Sequence, residues 1–164
     1  MKKKFFILII ISTSILYSQN NKEKKTENSE DVEKKQQEIF VQTADNLYND
    51  EKIKIAYLYY KDFLEIYPQS QYKKYIKEKI AEIYEKTHEY HKAAEIFSQL
   101  QHEEENLNEK IRYLYHEARL YDMTGFYSLS VDKYKKIIKL DDTGTFSNIA
   151  REKLKYIADN NLLH

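Results

Sequence analysis

One spacing constrains this chain more than any other feature: residues of the same kind return every 37 positions. Ala44, Ala81 and Ala118 are related by that step, as are Leu47, Tyr84 and Tyr121. It also joins Ile53, Tyr90 and Tyr127; Ala56, Ala93 and Ser130; Tyr60, Phe97 and Tyr134; and Phe63, Leu100 and Ile137. Upstream, Ile39, Ile76 and Tyr113 complete the series. Within each period the apolar and small residues lie three and four apart, the spacing that gathers side chains on one face of a helix. The clearest period runs from Tyr72 to Leu100 and holds two such faces. The first is Tyr72, Ile76, Ile80, Ala81, Ile83 and Tyr84; the second is Tyr90, Ala93, Ala94, Ile96, Phe97 and Leu100. The repeating unit is a pair of amphipathic helices, and such units bury a core by stacking on their neighbours.

The pairs are expected over about residues 37–68, 70–105 and 106–142, within a helical domain spanning 32–160. A last helix, 146–159, keeps the phase: Glu152 to Ile157 (EKLKYI) matches Glu78 to Ile83 (EKIAEI) at twice the period. It has no partner helix after it, so Arg151, Lys153 and Lys155 on its other face make it a solvent-facing cap on the stack. With only two glycines and one proline, the composition disfavours a sheet, and 33% charged residues suits solvated helix faces. Candidate helix caps are Asp50, Ser70, Thr87, and Asn106 with Glu109 as a capping box. Tyr67-Pro68 closes the first pair, and Gly125 supplies a turn with a permissive backbone.

The N-terminus reads differently. Met1 to Lys4 is basic, Phe5 to Ile11 is an unbroken apolar run, and Ser12 to Ser18 mixes small and apolar residues, the layout of a secretory signal peptide over 1–18. As a helix, Phe5 to Tyr17 spans about 20 Å against a hydrocarbon core of about 30 Å, so export with cleavage after Ser18 is favoured over a permanent anchor. Leu16, where a small residue is usual, keeps the uncleaved anchor as the alternative. Residues 19–31 are polar throughout and are expected to form a flexible tether.

Several functions are disfavoured. Lys and Arg total 27 against 27 Asp and Glu, with no basic footprint for nucleic acid. No cysteine is present to form a disulfide, a thiolate nucleophile or a lipid anchor. His88 and His91 (HEYH) lack the zinc-motif spacing and a third ligand, so they are read as surface turn residues. The paired carboxylates at Glu103 to Glu105 and at Asp141-Asp142 lie in charged loops with no sign of the burial that acid–base catalysis requires. No cofactor and no catalytic residue are expected. Most of the 16 Tyr and 7 Phe occupy repeated packing positions.

Small residues at Ala81 with Ala93 and at Ala118 with Ser130, the aromatic positions Tyr84, Tyr90 and Phe97, and the turn Thr124 to Tyr127 together resemble the tetratricopeptide repeat (TPR) family over about Ile39 to Ile157. The family's period is 34, and this chain has 37, no Trp and a single Pro. The longer period, with FLEIYPQSQY at Phe63 to Tyr72, is more similar to the subset in bacterial envelope proteins: outer-membrane assembly lipoproteins and Tol–Pal-associated periplasmic proteins. Their N-terminal coiled coil has no counterpart here, because Glu30 to Asn49 sustains no heptad. The resemblance implies an all-α, right-handed superhelix of three TPR-like helix pairs plus a C-terminal capping helix. It also implies a non-catalytic, periplasmic or envelope scaffold that binds a protein or peptide along its concave face.

First-helix positions would line that face: Val41 and Asp45; Tyr75, Lys79 and Glu82; Arg112, Tyr115, His116 and Arg119. Tyr75 and Tyr115 stand off the packing register. Lys79, Arg112 and Arg119 would present cations to an acidic segment or a peptide carboxylate. The alternatives are a structural protein that self-associates through the helix beginning near Val32, and a cell-wall glycan-acting enzyme. Membrane contact is expected only through an uncleaved N-terminal segment.

Overall fold

The computed structural model describes residues 29–163. The expected signal peptide and residues 19–28 of the expected tether lie outside the described residues. Those described form seven α-helices and no strand: α1 (Ser29–Asn49), α2 (Ile53–Ile66), α3 (Lys73–Lys86), α4 (Tyr90–Glu103), α5 (Leu107–Met123), α6 (Tyr127–Leu140) and α7 (Thr145–Asp159). The chain divides into two compact units between Glu38 and Ile39, within α1. The described part of the first unit is helical from Ser29, so the last three residues assigned to the tether are helix; Glu30 and Asp31 favour its positive N-terminal end. None of the described helices is long and apolar enough to cross a membrane.

In the second unit the core is three clusters, and each draws on three consecutive helices. Val41 and Ala44 of α1 meet Ala56, Tyr60 and Phe63 of α2 and Ile76, Ile80 and Ile83 of α3. Ala81 of α3 meets Ala93, Ala94, Phe97 and Leu100 of α4 and Tyr113 and Leu120 of α5. Ile111, Leu114 and Ala118 of α5 meet Val131, Tyr134 and Ile137 of α6 and Ala150 and Ile157 of α7. Thus α3 and α5 each serve two clusters, one face turned to the preceding pair and one to their own second helix. The crossing of each first helix with its own second helix carries the same alanine, Ala44, Ala81 and Ala118, all buried. The corresponding position of α7 is Lys155, exposed, and among the described residues no second helix packs there to demand a small side chain.

The turns inside the pairs repeat as closely as the core. At Glu51, His88 and Gly125, again 37 apart, the backbone is left-handed, with φ of 60°, 62° and 78°. Each turn closes the first helix with the same two bonds, those of a Schellman motif. The long one runs from Lys52 N to Leu47 O, Glu89 N to Tyr84 O and Phe126 N to Tyr121 O, at 2.9, 2.7 and 2.9 Å. The short one runs from Glu51 N to Tyr48 O, His88 N to Glu85 O and Gly125 N to Asp122 O, at 3.1, 3.1 and 3.2 Å.

This backbone solution displaces two of the expected caps, Asp50 and Thr87, and a third, Ser70, misses its position in the turn between pairs. Lys52 rather than Asp50 precedes α2, with no side-chain cap, and Asp50 forms an ion pair with Lys52. Thr87 ends α3 instead of starting α4: its hydroxyl donates to the Ile83 and Tyr84 carbonyls. Ser70 accepts from Tyr72 N in the turn before α3, two residues short of the cap position. Asn106 does cap α5, accepting from Asn108 N and Glu109 N. Its own N–H goes to Glu104 rather than Glu109, so only half of the capping box forms.

A left-handed residue with a Cβ costs about 1 kcal/mol more than glycine. Glu51→Gly and His88→Gly are therefore each expected to raise stability by about 1 kcal/mol, and Gly125→Ala to lower it by about as much. Urea unfolding midpoints at equal m-value measure all three.

Candidate functional site

The first helices of successive pairs are tied to each other by polar contacts about one period apart, and these contacts absorb most of the predicted partner-binding residues. Asp45 of α1 accepts from Tyr60 of α2 at 2.5 Å and from Tyr75 of α3 at 2.9 Å. Burial first, and then the Asp45 bond, raise both phenol pKa values well above the ordinary one. Lys79 bonds Glu82 at 2.8 Å and stands over the rings of Tyr48 and Tyr75, 5.2 and 5.7 Å from their centres. Lys86 covers Tyr48 from 4.5 Å. Two carboxylates, two lysines and three tyrosines thus gather where α3 meets the first pair.

The α3–α5 junction is built on arginine. Arg112 bonds Glu78 at 2.9 Å and Glu109 at 2.7 Å, and Tyr113 donates to the same Glu78 oxygen. Seven residues on, Arg119 bonds Glu85 at 2.5 Å. Both bridges join residues 34 apart, one period less one helical turn, which is where a neighbouring parallel helix brings side chains level. At the α5–α7 junction, Lys153 bonds Asp122 at 2.9 Å. Lys153 therefore faces the fold, in contrast to its expected place on the outer face of the capping helix.

The row of cations expected along this face is present, but every member is already neutralised. Three further candidates are drawn into packing. Val41 is buried in the first cluster. Tyr115 lies on the Phe146 ring, 5.0 Å between centres, which puts it in the packing register after all. His116 stacks on Phe97 of α4 at 4.7 Å and 15°, with its Nδ1 buried and unpartnered. Burial, followed by the Arg119 cation, lowers its pKa below that of a free imidazole. Tyr75, Lys79 and Glu82 remain within reach of solvent, with Tyr75 37% exposed. Sequence reasoning missed Tyr48, the ring on which both lysines rest. For the bridges, opposite charges at an offset of 34, as in Glu78 with Arg112 and Glu85 with Arg119, were the available signal.

The two turn histidines separate in role: His88 Nδ1 bonds the Tyr90 hydroxyl at 2.6 Å, and His91 lies edge-on to Phe126. A depression of about 250 Å³ between Ser70–Lys74 and the end of α4 is bounded by Lys74 and Glu104, 2.5 Å apart.

Tyr60 and Tyr134 occupy the same repeat position and are both fully buried, yet only Tyr60 finds an acceptor. The residue at the position of Asp45, two periods on, is Arg119, which turns to Glu85. Tyr60→Phe strands half of Asp45's bonding and is expected to cost about 1.5 kcal/mol. Tyr134→Phe, which copies Phe97 of the middle repeat, is expected to be neutral or to stabilise by about 1 kcal/mol. Paired denaturation curves distinguish the two.

No protein family matches this chain, and no curated protein matches it. What the coordinates define is an all-α protein whose helix pairs repeat in spacing, burial and turn geometry.

Proposed function

We propose that this protein is an exported, non-catalytic scaffold of the bacterial periplasm or cell envelope, folded as a TPR-type superhelix that binds a protein or peptide along the concave face of its first helices. The observation that carries the reading is the row of pre-paired side chains from Asp45 and Tyr75 through Glu78–Arg112 to Glu85–Arg119. Groups fixed by their neighbours lose little entropy when a ligand arrives, which favours recognition over adaptation.

The pairing also changes the partner from the one sequence alone suggested. An acidic segment would have to displace Glu78, Glu109 or Glu85 from guanidiniums they already hold. A peptide of low net charge, bonding the open sides of Tyr75, Lys79 and Glu82, meets no such cost.

The test places a photo-cross-linking residue at Tyr75 or, as the outer-face control, at Glu95 of α4, in cells that export the chain. A discrete heterologous adduct from Tyr75 and none from Glu95 is the expected result. Charge reversal of Arg119 alone would unpair Glu85, so the companion variant is the swap Glu85→Arg/Arg119→Glu, which keeps the bridge while inverting the surface. Adducts equal at both positions, or none at Tyr75, would refute the reading.

A further inference from the structure

The seam between α2 and α3 holds a pair of phenols that the other repeats do not have at the corresponding positions. Tyr57 and Tyr84 share a hydrogen bond of 2.9 Å between their hydroxyls, and their ring centres are 5.6 Å apart at 55°. One period on, the corresponding residues are Ala94 and Tyr121; two periods on they are Val131 and Ala158. Packing at this seam therefore makes no demand for two tyrosines. Both rings are half-buried, and Lys92 Nζ stands 5.2 Å from the centre of the Tyr84 ring.

Neighbouring rings of the first cluster meet differently. Tyr59 contacts Phe40, and Tyr67 and Tyr72 contact Phe63, so a phenylalanine ring, which resists oxidation, lies opposite in each case. Tyr60 and Tyr75 converge on Asp45, whose carboxylate stands between their hydroxyls. At Tyr57 and Tyr84 the two phenol oxygens are in direct contact.

We propose that Tyr57 and Tyr84 form an oxidative cross-linking site, at which a one-electron oxidant joins the two rings through a carbon–carbon bond and staples the first helix pair to the second. The Tyr84 phenol holds its proton at neutral pH, since burial and then the Tyr57 bond push its pKa up to about 12. Each electron therefore leaves with a proton, which passes to water, and a neutral phenoxyl radical remains. A second equivalent of oxidant does the same to the partner ring. The unpaired electrons are shared with the carbons ortho to the oxygens, where the new bond forms, and the hydrogens on those carbons move to the oxygens. Two phenols thus give one biphenol, two electrons and two protons. Hydrogen peroxide is the terminal oxidant, reduced by a haem peroxidase to two waters with those electrons and protons. Rings already held side by side couple as a unimolecular step, ahead of any encounter with a second chain.

The consequence is mechanical. The bond joins positions 27 apart and closes a loop that runs through Tyr67-Pro68 and the turn between the pairs. Closing it removes freedom from the unfolded chain and holds α2 on α3, so the cross-linked protein unfolds at higher urea. The site does not rest on the peptide-binding reading of the first-helix row and is tested without it.

The test is oxidation of the full chain, kept dilute, by photogenerated tris(bipyridyl)ruthenium(III), with persulfate reduced to sulfate as the terminal acceptor. The expected product is a monomer lighter by two hydrogens, with the blue fluorescence of a biphenol, whose tryptic digest joins residues 55–61 to residues 80–86. Tyr57→Phe and Tyr84→Phe each abolish that linkage, whereas Tyr59→Phe, in the same tryptic peptide, leaves it. Phenylalanine keeps the ring in the seam, so the circular dichroism of both variants is expected to match the parent. Unfolding in urea before oxidation lowers the yield of the linkage about 10-fold, because the proximity is gone. No monomeric product, or a linkage that survives Tyr57→Phe or Tyr84→Phe, overturns the inference. So does a linkage no more abundant than those between other tyrosines, or one formed equally in urea, since the folded geometry would then not be its cause.

Discussion

Ile76→Ala is expected to cost about 2–5 kcal/mol, whereas Ile39→Ala, one period earlier, is expected to cost less than about 0.5 kcal/mol. The two residues are the same amino acid at the same repeat position, so the difference isolates what stacking adds. Ile76 is fully buried in the cluster that joins α1, α2 and α3, and its loss leaves a cavity those helices close only in part. Ile39 is 57% exposed, and among the described residues no helix pair precedes the first repeat to cover it. Urea unfolding followed by circular dichroism gives both numbers. An Ile39→Ala loss as large as that of Ile76→Ala would mean that something covers the outer face of the first repeat in solution.

That asymmetry marks how far the sequence could be read. The 37-residue step identified core positions such as Ala56, Tyr60, Phe97 and Ile137, but not Leu120 or Val131, because it marks only positions where packing enforces residue kind in every repeat: a buried alanine at a helix crossing admits little else, and Ala44, Ala81 and Ala118 record it directly. The step could not say which end of the array was covered, since Ile39 carries the apolar residue whether or not a neighbour is there.

The turns were legible only at Gly125. At Glu51 and His88 the same left-handed backbone is carried by residues that give no sign of it, because the Schellman bonds hold the chain there against the residue's preference. Side-chain caps were over-read for the same reason: once the backbone satisfies its own ends, Asp50 and Thr87 are released to other partners. The polar face failed differently. Charges at Arg112 and Arg119 were visible, but their carboxylates lie 34 residues upstream, and only the stacking of α3 on α5 brings them together.

The seam between α5 and α6 contains the sharpest departure from the pattern, and the second large effect is expected there. Where the middle repeat has Ile80 and Ile96, the third has Glu117 and Lys133, bonded at 2.7 Å, with Glu117 1% exposed and its Oε2 unpartnered. A carboxylate at an apolar packing position is tolerated only because the ammonium accompanies it. Lys133→Ile is therefore expected to cost about 3 kcal/mol, since it leaves a buried charge alone. Removing both, in Glu117→Ile/Lys133→Ile, restores the middle repeat's pair and is expected to match the parent or exceed it by about 1 kcal/mol, so that the cycle shows strong coupling. A double variant as unstable as the single would instead show that the seam needs the lysine for its packing stem rather than its charge.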